Sequence, residues 1–234
     1  MERHRIQELF SEEVLDKIKE IATSTKMHDN NQKVKALLFL LKGLGFTEIG
    51  PGTNRLVVRN VDYVYKIAMD SYGVRDNWNE FNMGPRLQPY VTKTYECNGL
   101  VAVAEYVNLI NREEFINSKE QIRNILDCLS EDYIFCDMSL TMKNMLNYGY
   151  RDNGEIVILD YGYIYPIDRK IMFCLKCGGR LKWKPDYTAL TCTKCGKVHD
   201  PITVRDRMWM PETSFVPHKR EDPDDKDEGL TIKL

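Results

Sequence analysis

The chain has 234 residues, 43% of them hydrophobic and 29% charged, with a formal net charge of -2. That globular composition excludes a wholly disordered chain, a collagen and a coiled coil, and it allows one large domain or two small ones. The near-neutral total gives no global attraction to nucleic acid or anionic lipid, although a local patch can still exist. The longest apolar run, Ala36–Leu41, is six residues. A membrane span needs roughly 20. No signal-peptide core follows the N-terminal Met1–Arg5. A cytoplasmic protein with no membrane partner is therefore expected.

In chain order, residues 11–23 place Val14, Leu15, Ile18, Ile21 and Ala22 at helical spacing, with Ser11 as N-cap. Residues 31–42 repeat the pattern and stop at Gly43. From about residue 46 the texture becomes β-rich. Leu56–Val58 and Tyr63–Ala68 read as strands around a turn near Asn60. Residues 75–87 read as a helix. Thr92–Cys97 and Leu100–Tyr106 flank Asn98-Gly99, a pair suited to a type I′ hairpin turn. Residues 112–130 read as one helix, followed by short strands at 133–136, 146–150 and 156–159. Residues 201–217 read as extended. His218–Glu228 is dense in charge and lacks an apolar side chain, so it is expected to be flexible.

Four of the seven cysteines form two C-x-x-C pairs, Cys174/Cys177 and Cys192/Cys195, separated by 14 residues. A two-residue spacer lets one tight turn point two thiolates at one ion, and two such turns complete a tetrahedron. Glycines follow each pair. Leu181, Trp183, Tyr187 and Leu190 between them suit strands. The pattern resembles a zinc ribbon, and zinc is the expected cofactor there. An odd total of cysteines without a signal peptide argues against a disulfide framework. Cys97, Cys128 and Cys136 are expected to be ordinary buried residues. Residues 174–200 hold six basic and two acidic side chains, a local charge of +4. With Trp183 and Tyr187 this could serve nucleic acid by charge and stacking, or the module could be a structural clip.

A second constellation lies upstream. Gly50-Pro51-Gly52-Thr53-Asn54 puts two glycines at a turn between strands, where backbone amides could approach phosphates. Lys66 interrupts an apolar strand and needs a partner, which Glu80, 14 residues on in a helix, could supply. Ile156–Leu159 is an apolar strand ending in Asp160-Tyr161-Gly162, a position that suits a metal-binding carboxylate or an Asx turn.

This order of motifs resembles the protein-kinase-like fold over roughly residues 48–165, in the small form found in bacteria and their phages. The resemblance implies an antiparallel small lobe with helices and a reduced large lobe, an α+β fold with the β zinc ribbon appended. It divides the chain into an N-terminal helical segment (1–45), a minimal kinase-like domain (46–173), the ribbon (174–200) and an extended C-terminal segment (201–234). By resemblance, Gly50, Gly52, Thr53 and Asn54 cover phosphates, Lys66 holds them, and Glu80 pairs with Lys66. Glu105 and Val107 fall at the adenine-binding hinge. Asn147 and Asp160 match the metal-binding pair, and Asp137 matches the residue that orients the acceptor hydroxyl.

The departures are specific. The family's asparagine lies five residues after its catalytic aspartate, whereas Asn144 lies seven and Asn147 ten after Asp137. No Ala-Pro-Glu segment follows Asp160, and only 11 residues separate Gly162 from Cys174. Two functions are therefore expected in competition. One is a phosphotransferase using Mg-ATP, with Lys66, Asp137 and Asp160 as its catalytic residues. The other is a catalytically impaired kinase-like binding or regulatory protein whose ribbon docks on a partner protein or nucleic acid. If phage-encoded, it would act in the host cytoplasm or the virion.

Overall fold

The structure is a computed structural model and describes residues 5–209 apart from 28, 62 and 169. The elements in chain order are α1 (Arg5–Leu9), α2 (Glu12–Thr23), α3 (Asn30–Leu41), β1 (Thr47–Pro51), β2 (Arg55–Asn60), β3 (Tyr63–Ala68), α4 (Ser71–Leu87), β4 (Thr94–Cys97), β5 (Val101–Glu105), β6 (Asn108–Leu109) and α5 (Arg112–Asn117). They continue with α6 (Lys119–Ser130), β7 (Tyr133–Phe135), a 3-10 helix (Met142–Asn147), β8 (Tyr148–Tyr150), β9 (Ile156–Ile158), β10 (Ile164–Pro166), β11 (Leu181–Trp183), β12 (Leu190–Cys192), β13 (Val198–His199), α7 (Pro201–Asp206) and a last 3-10 turn (Arg207–Trp209). The chain is thus a mixture of helices and antiparallel sheets. The described residues divide into two compact units, the first made of those up to 117 and of 145–164, the second of 118–144 and 165–209.

Unit 1 is organised on a five-stranded sheet in the order β1-β2-β3-β5-β4. All its pairings are antiparallel. The strand β3 explains the layering. Successive side chains of a strand point to opposite faces. Tyr65 and Ile67, with Met69 just beyond, join one core with Ile6, Phe10, Ile18, Leu37 and Leu41 of the N-terminal helical region. Lys66 lies on the other face, where α4 packs. With both faces covered, five of the six β3 residues are buried.

The N-terminal segment therefore caps the sheet. Ser11 caps α2 by accepting from the Val14 amide, and Asp29 caps α3 by accepting from Asn31. Phe10, Phe46 and Tyr65 form an aromatic cluster with centroids 5.1–5.8 Å apart. Burying Lys33 would be costly without partners. Its ammonium donates to Met69 O at 2.7 Å and Ala22 O at 3.1 Å.

Three expectations change. The reading of 112–130 as one helix is corrected to two, α5 and α6. Ser118 between them has φ −98° and ψ 4°. Asn117 and Ser118 are residues whose side chains compete for the backbone and disfavour a helix interior. Residues 201–206 are helical, not extended: Pro201 stands at the helix start and Asp200 caps it through the Ile202 amide. Gly50 lies inside β1 at a bulge, and the tight turn begins at Gly52, whose amide donates to Arg55 O at 2.7 Å. The flexible tail expected at 218–228 lies outside the described residues.

Unit 2 contains α6, β7 paired with β10, and a three-stranded sheet in the order β11-β12-β13 that carries the cysteines. Ile122, Leu126 and Leu129 bury one face of α6. Cys128 falls on the opposite face and is exposed, which corrects its expected burial. Cys97 and Cys136 are only partly buried, and that enclosure still pushes their thiols up, to about 11 and about 12.

Candidate functional site

In unit 1 the sequence places a cation and an anion on facing elements. Lys66 comes from β3 and Glu80 from α4. The Lys66 ammonium donates to Glu80 Oε2 at 2.5 Å and to Leu159 O at 2.6 Å. Glu80 has no solvent exposure. Its other oxygen, Oε1, accepts from the Tyr161 amide at 3.3 Å and from Arg55 at 2.9 Å. Arg55 also donates to Asp160 Oδ1 at 2.7 Å and to Asn77 Oδ1 at 3.3 Å. Two cations and two carboxylates thus form one network. Of the expected site residues, it unites Lys66, Glu80 and Asp160.

Neither Arg55 nor Asn77 was among the expected site residues. The register explains both. Arg55 pairs with Ala68 across β2 and β3, so it shares a sheet face with Lys66. Asn77 donates to Lys66 O at 3.1 Å and Gly99 O at 2.9 Å, fixing α4 to the strands. The only sequence signal for Arg55 was a cation at the head of an apolar run, Leu56–Val58. Its role needed the pairing register.

The electrostatics follow from burial and charge. The Asp160 side chain is half exposed, and the enclosure it does have is outweighed by Arg55 and then Lys66, so its carboxyl titrates below the ordinary range. For Asp76 burial wins over Arg55 and its carboxyl is raised. Burial pushes the Arg55 guanidinium down, but Glu80 and Asp160 more than reverse this.

The glycine-bearing loop is anchored, not open. Asn54 donates to Asp76 Oδ2 and Tyr163 Oη, both at 3.3 Å. Asn54 O accepts from the Met69 amide at 2.9 Å, and Thr53 O from Asn30 at 2.5 Å. Gly73 at the start of α4 makes this closure possible, since a Cβ there would lie 2.3 Å from Asn54 O. Tyr161 is fully buried, and its hydroxyl donates to Thr92 O at 2.8 Å.

The remaining expected residues are placed as follows. Glu105 is held by Arg151, with Nε donating to Oε1 at 2.9 Å, and the Glu105 amide donates to Lys93 O at 2.8 Å. Val107 is buried. The carbonyl of Asn147 accepts from the Leu159 amide at 2.8 Å. Asp137 belongs to unit 2 and is exposed. There Asn144 donates to Asp137 O at 2.6 Å, and Ser139 donates to Asn144 Oδ1 at 2.6 Å. Asn144, set aside in favour of Asn147 on spacing, is the asparagine that pins the Asp137 loop.

A divalent ion needs an excess of anionic oxygens over cations around it. Here Arg55 and Lys66 balance Glu80 and Asp160, Arg75 balances the adjacent Asp76, and Asp160 Oδ1 is already engaged by Arg55. These residues do not fit a resident magnesium ion.

In unit 2 the four cysteines converge. The ligand atoms of Cys174, Cys177, Cys192 and Cys195 all lie within 4.8 Å of one another. Cys174 and Cys195 sulfurs are 3.8 Å apart, those of Cys177 and Cys192 3.5 Å. A tetrahedron with metal–sulfur bonds near 2.3 Å sets its sulfurs about 3.8 Å apart, so the cluster could hold a metal ion such as zinc. Gly179 admits the approach, because a Cβ there would meet Cys192 Sγ at 2.7 Å. The Lys194 and Cys195 amides point at Cys192 Sγ from 3.4 and 3.5 Å. Arg207 donates to Ile171 O at 3.1 Å and Phe173 O at 2.7 Å, bracing the segment that enters the first pair.

The two aromatics between the cysteine pairs face inward. Trp183 stacks on Phe135 at 4.4 Å and 6°, and Tyr187 is buried with its hydroxyl bonded to Asp127. A cavity of about 650 Å³ lies beside them, lined by Asp127, Glu131, Arg180, Lys182 and Trp183 among others.

No protein-family model and no curated protein sequence matches the chain. Among solved structures, it is similar to the complex of Rv3197 with erythromycin from Mycobacterium tuberculosis, at 13% identity and a TM-score of 0.35. The overlap covers 73% of this chain and 62% of that one, so the chain spans less than two thirds of the structure that it matches. At that score the likeness is too loose to define a shared fold.

Proposed function

We propose that the chain is a kinase-like nucleotide-binding protein whose second unit is built around zinc. The observation that carries the reading is the buried Lys66–Glu80 pair between β3 and α4. It leaves the third ammonium donor of Lys66 for a phosphate oxygen, and Glu80 fixes where that donor points. Arg55 adds a second cation on the same sheet face. ATP is the ligand this reading assigns, because the loop Gly52–Asn54, Lys66 and the Glu105–Val107 segment follow in the order of the kinase-like pattern. The four cysteines would hold one zinc ion as thiolates, a closed structural set with no open position.

Thermal stabilisation by ATP in wild type and Lys66→Ala tests the nucleotide reading. A shift in wild type that is lost in the variant supports it, and equal shifts in the two reject it. A second reading, the phosphotransferase, is favoured by one observation: Asn144 and Ser139 hold the Asp137 loop in a fixed form. Transfer of radiolabelled phosphate from ATP, to the chain itself or to a generic acceptor, separates the two. A binding protein transfers none above an Asp137→Ala control.

A further inference from the structure

Arg55 is the member of the unit 1 network that the kinase-like pattern does not use. Its side chain is 7% exposed, and it leaves a strand paired on both sides. One nitrogen, Nη2, bridges two carboxylates, Glu80 Oε1 at 2.9 Å and Asp160 Oδ1 at 2.7 Å. Guanidinium suits the task because it stays charged and offers a rigid fork of donors.

We propose that Arg55 is the built-in cation of this site, standing on Asp160 where a divalent metal would otherwise bind, so that the site takes its phosphate-bearing ligand without a metal ion. The choice of ligand rests on the nucleotide reading above; the exclusion of metal does not. The charge balance leads there. Arg55 and Lys66 offset Glu80 and Asp160, and Arg75 offsets the neighbouring Asp76, so an added dication would meet no anionic surplus and would face the fixed cations Arg55 and Lys66. A polyphosphate brings the missing negative charge itself. Leaving would cost Arg55 its bonds to Glu80 and Asn77 as well, and would strand Glu80 with one cation where it now has two.

The test uses the full chain with its cysteine-bound metal in place. Mn2+ is titrated without nucleotide and free Mn2+ is followed by electron paramagnetic resonance. Wild type, Asp160→Asn, Arg55→Lys, Arg55→Gln and the double variant Arg55→Gln/Asp160→Asn are compared. Wild type, Asp160→Asn and Arg55→Lys should leave millimolar Mn2+ equally free. Arg55→Gln should bind Mn2+ at least about tenfold more tightly. The double variant should lose that gain. A wild-type Mn2+ site that disappears in Asp160→Asn overturns the proposal, and this comparison decides even if Arg55→Gln does not fold. In parallel, ATP should stabilise wild type to the same degree in chelator-free buffer without added divalent ions as with Mg2+. Stabilisation that appears only with Mg2+ also overturns the proposal. If ATP stabilises in neither condition, the nucleotide reading fails while the Mn2+ comparison still rules on Arg55.

Discussion

In unit 1, four ionised side chains meet and cancel one another; in unit 2, four thiols meet with no countercharge among them. The first cluster carries its own countercharges. Each carboxylate has a cation within 3 Å, and the backbone of Leu159 and Tyr161 adds a hydrogen bond to Lys66 and one to Glu80. The second has no countercharge of its own, and as four thiolates it could hold a metal ion such as zinc. The contrast shows two ways to place polar groups together in a small protein. One builds the partner into the sequence, and the other arranges a set of ligands that could take an ion. Removing a member should therefore hurt in different ways.

The largest effect belongs to the cysteines. Structural zinc contributes about 10–16 kcal/mol of apparent binding free energy in small ribbons, and that free energy is folding free energy. Cys177→Ser or chelation should release one zinc per chain and unfold the ribbon strands, read by metal analysis and circular dichroism. Wild type purified without metal, yet with the same spectrum, would refute the assignment. Next comes Glu80→Gln. It leaves Arg55 and Lys66 buried without their shared counter-ion, at a cost of about 3–5 kcal/mol in chemical denaturation. A loss below about 1 kcal/mol would mean the pairing is not needed for stability.

Gly73→Ala should cost less, about 1–3 kcal/mol, by driving a methyl against Asn54 O and lifting the loop. Hydrogen exchange at residues 52–55 should rise in step. The smallest effect is on acid stability. Asp160 titrates below its ordinary value in the folded chain, so its contribution is present above the unfolded pKa and is lost as pH falls through the lower, folded one. Asp160→Asn should flatten the decline in stability below about pH 4. Parallel curves for the two proteins would exclude the linkage.

Much of this molecule was legible in its sequence. Period-2 and period-3.6 patterns placed most strands and helices, and the two C-x-x-C pairs announced their own convergence. The Lys66–Glu80 contact followed from one charge in an apolar strand and another on the next helix. What stayed hidden depended on pairing across the chain. Arg55 acquires its meaning from its register against Ala68, which no local pattern encodes. Trp183 and Tyr187 read as a stacking surface because sequence gives their type and spacing, not the Phe135 ring that Trp183 covers. The break at Ser118 was masked by apolar spacing that continues on either side of it.

The strand β3 carries a final consequence. Its odd-numbered positions fill a hydrophobic core and Lys66 serves the charged face, so the segment is read in two frames at once. Substitutions at single positions touch one face only. A one-residue insertion or deletion within 63–68 would transpose the frames, sending an ammonium into the core and tyrosine or isoleucine toward Glu80. Descendants of this sequence should therefore exchange side chains of this strand, each within the limits of its own face, before they change its length, and length changes should collect at its ends.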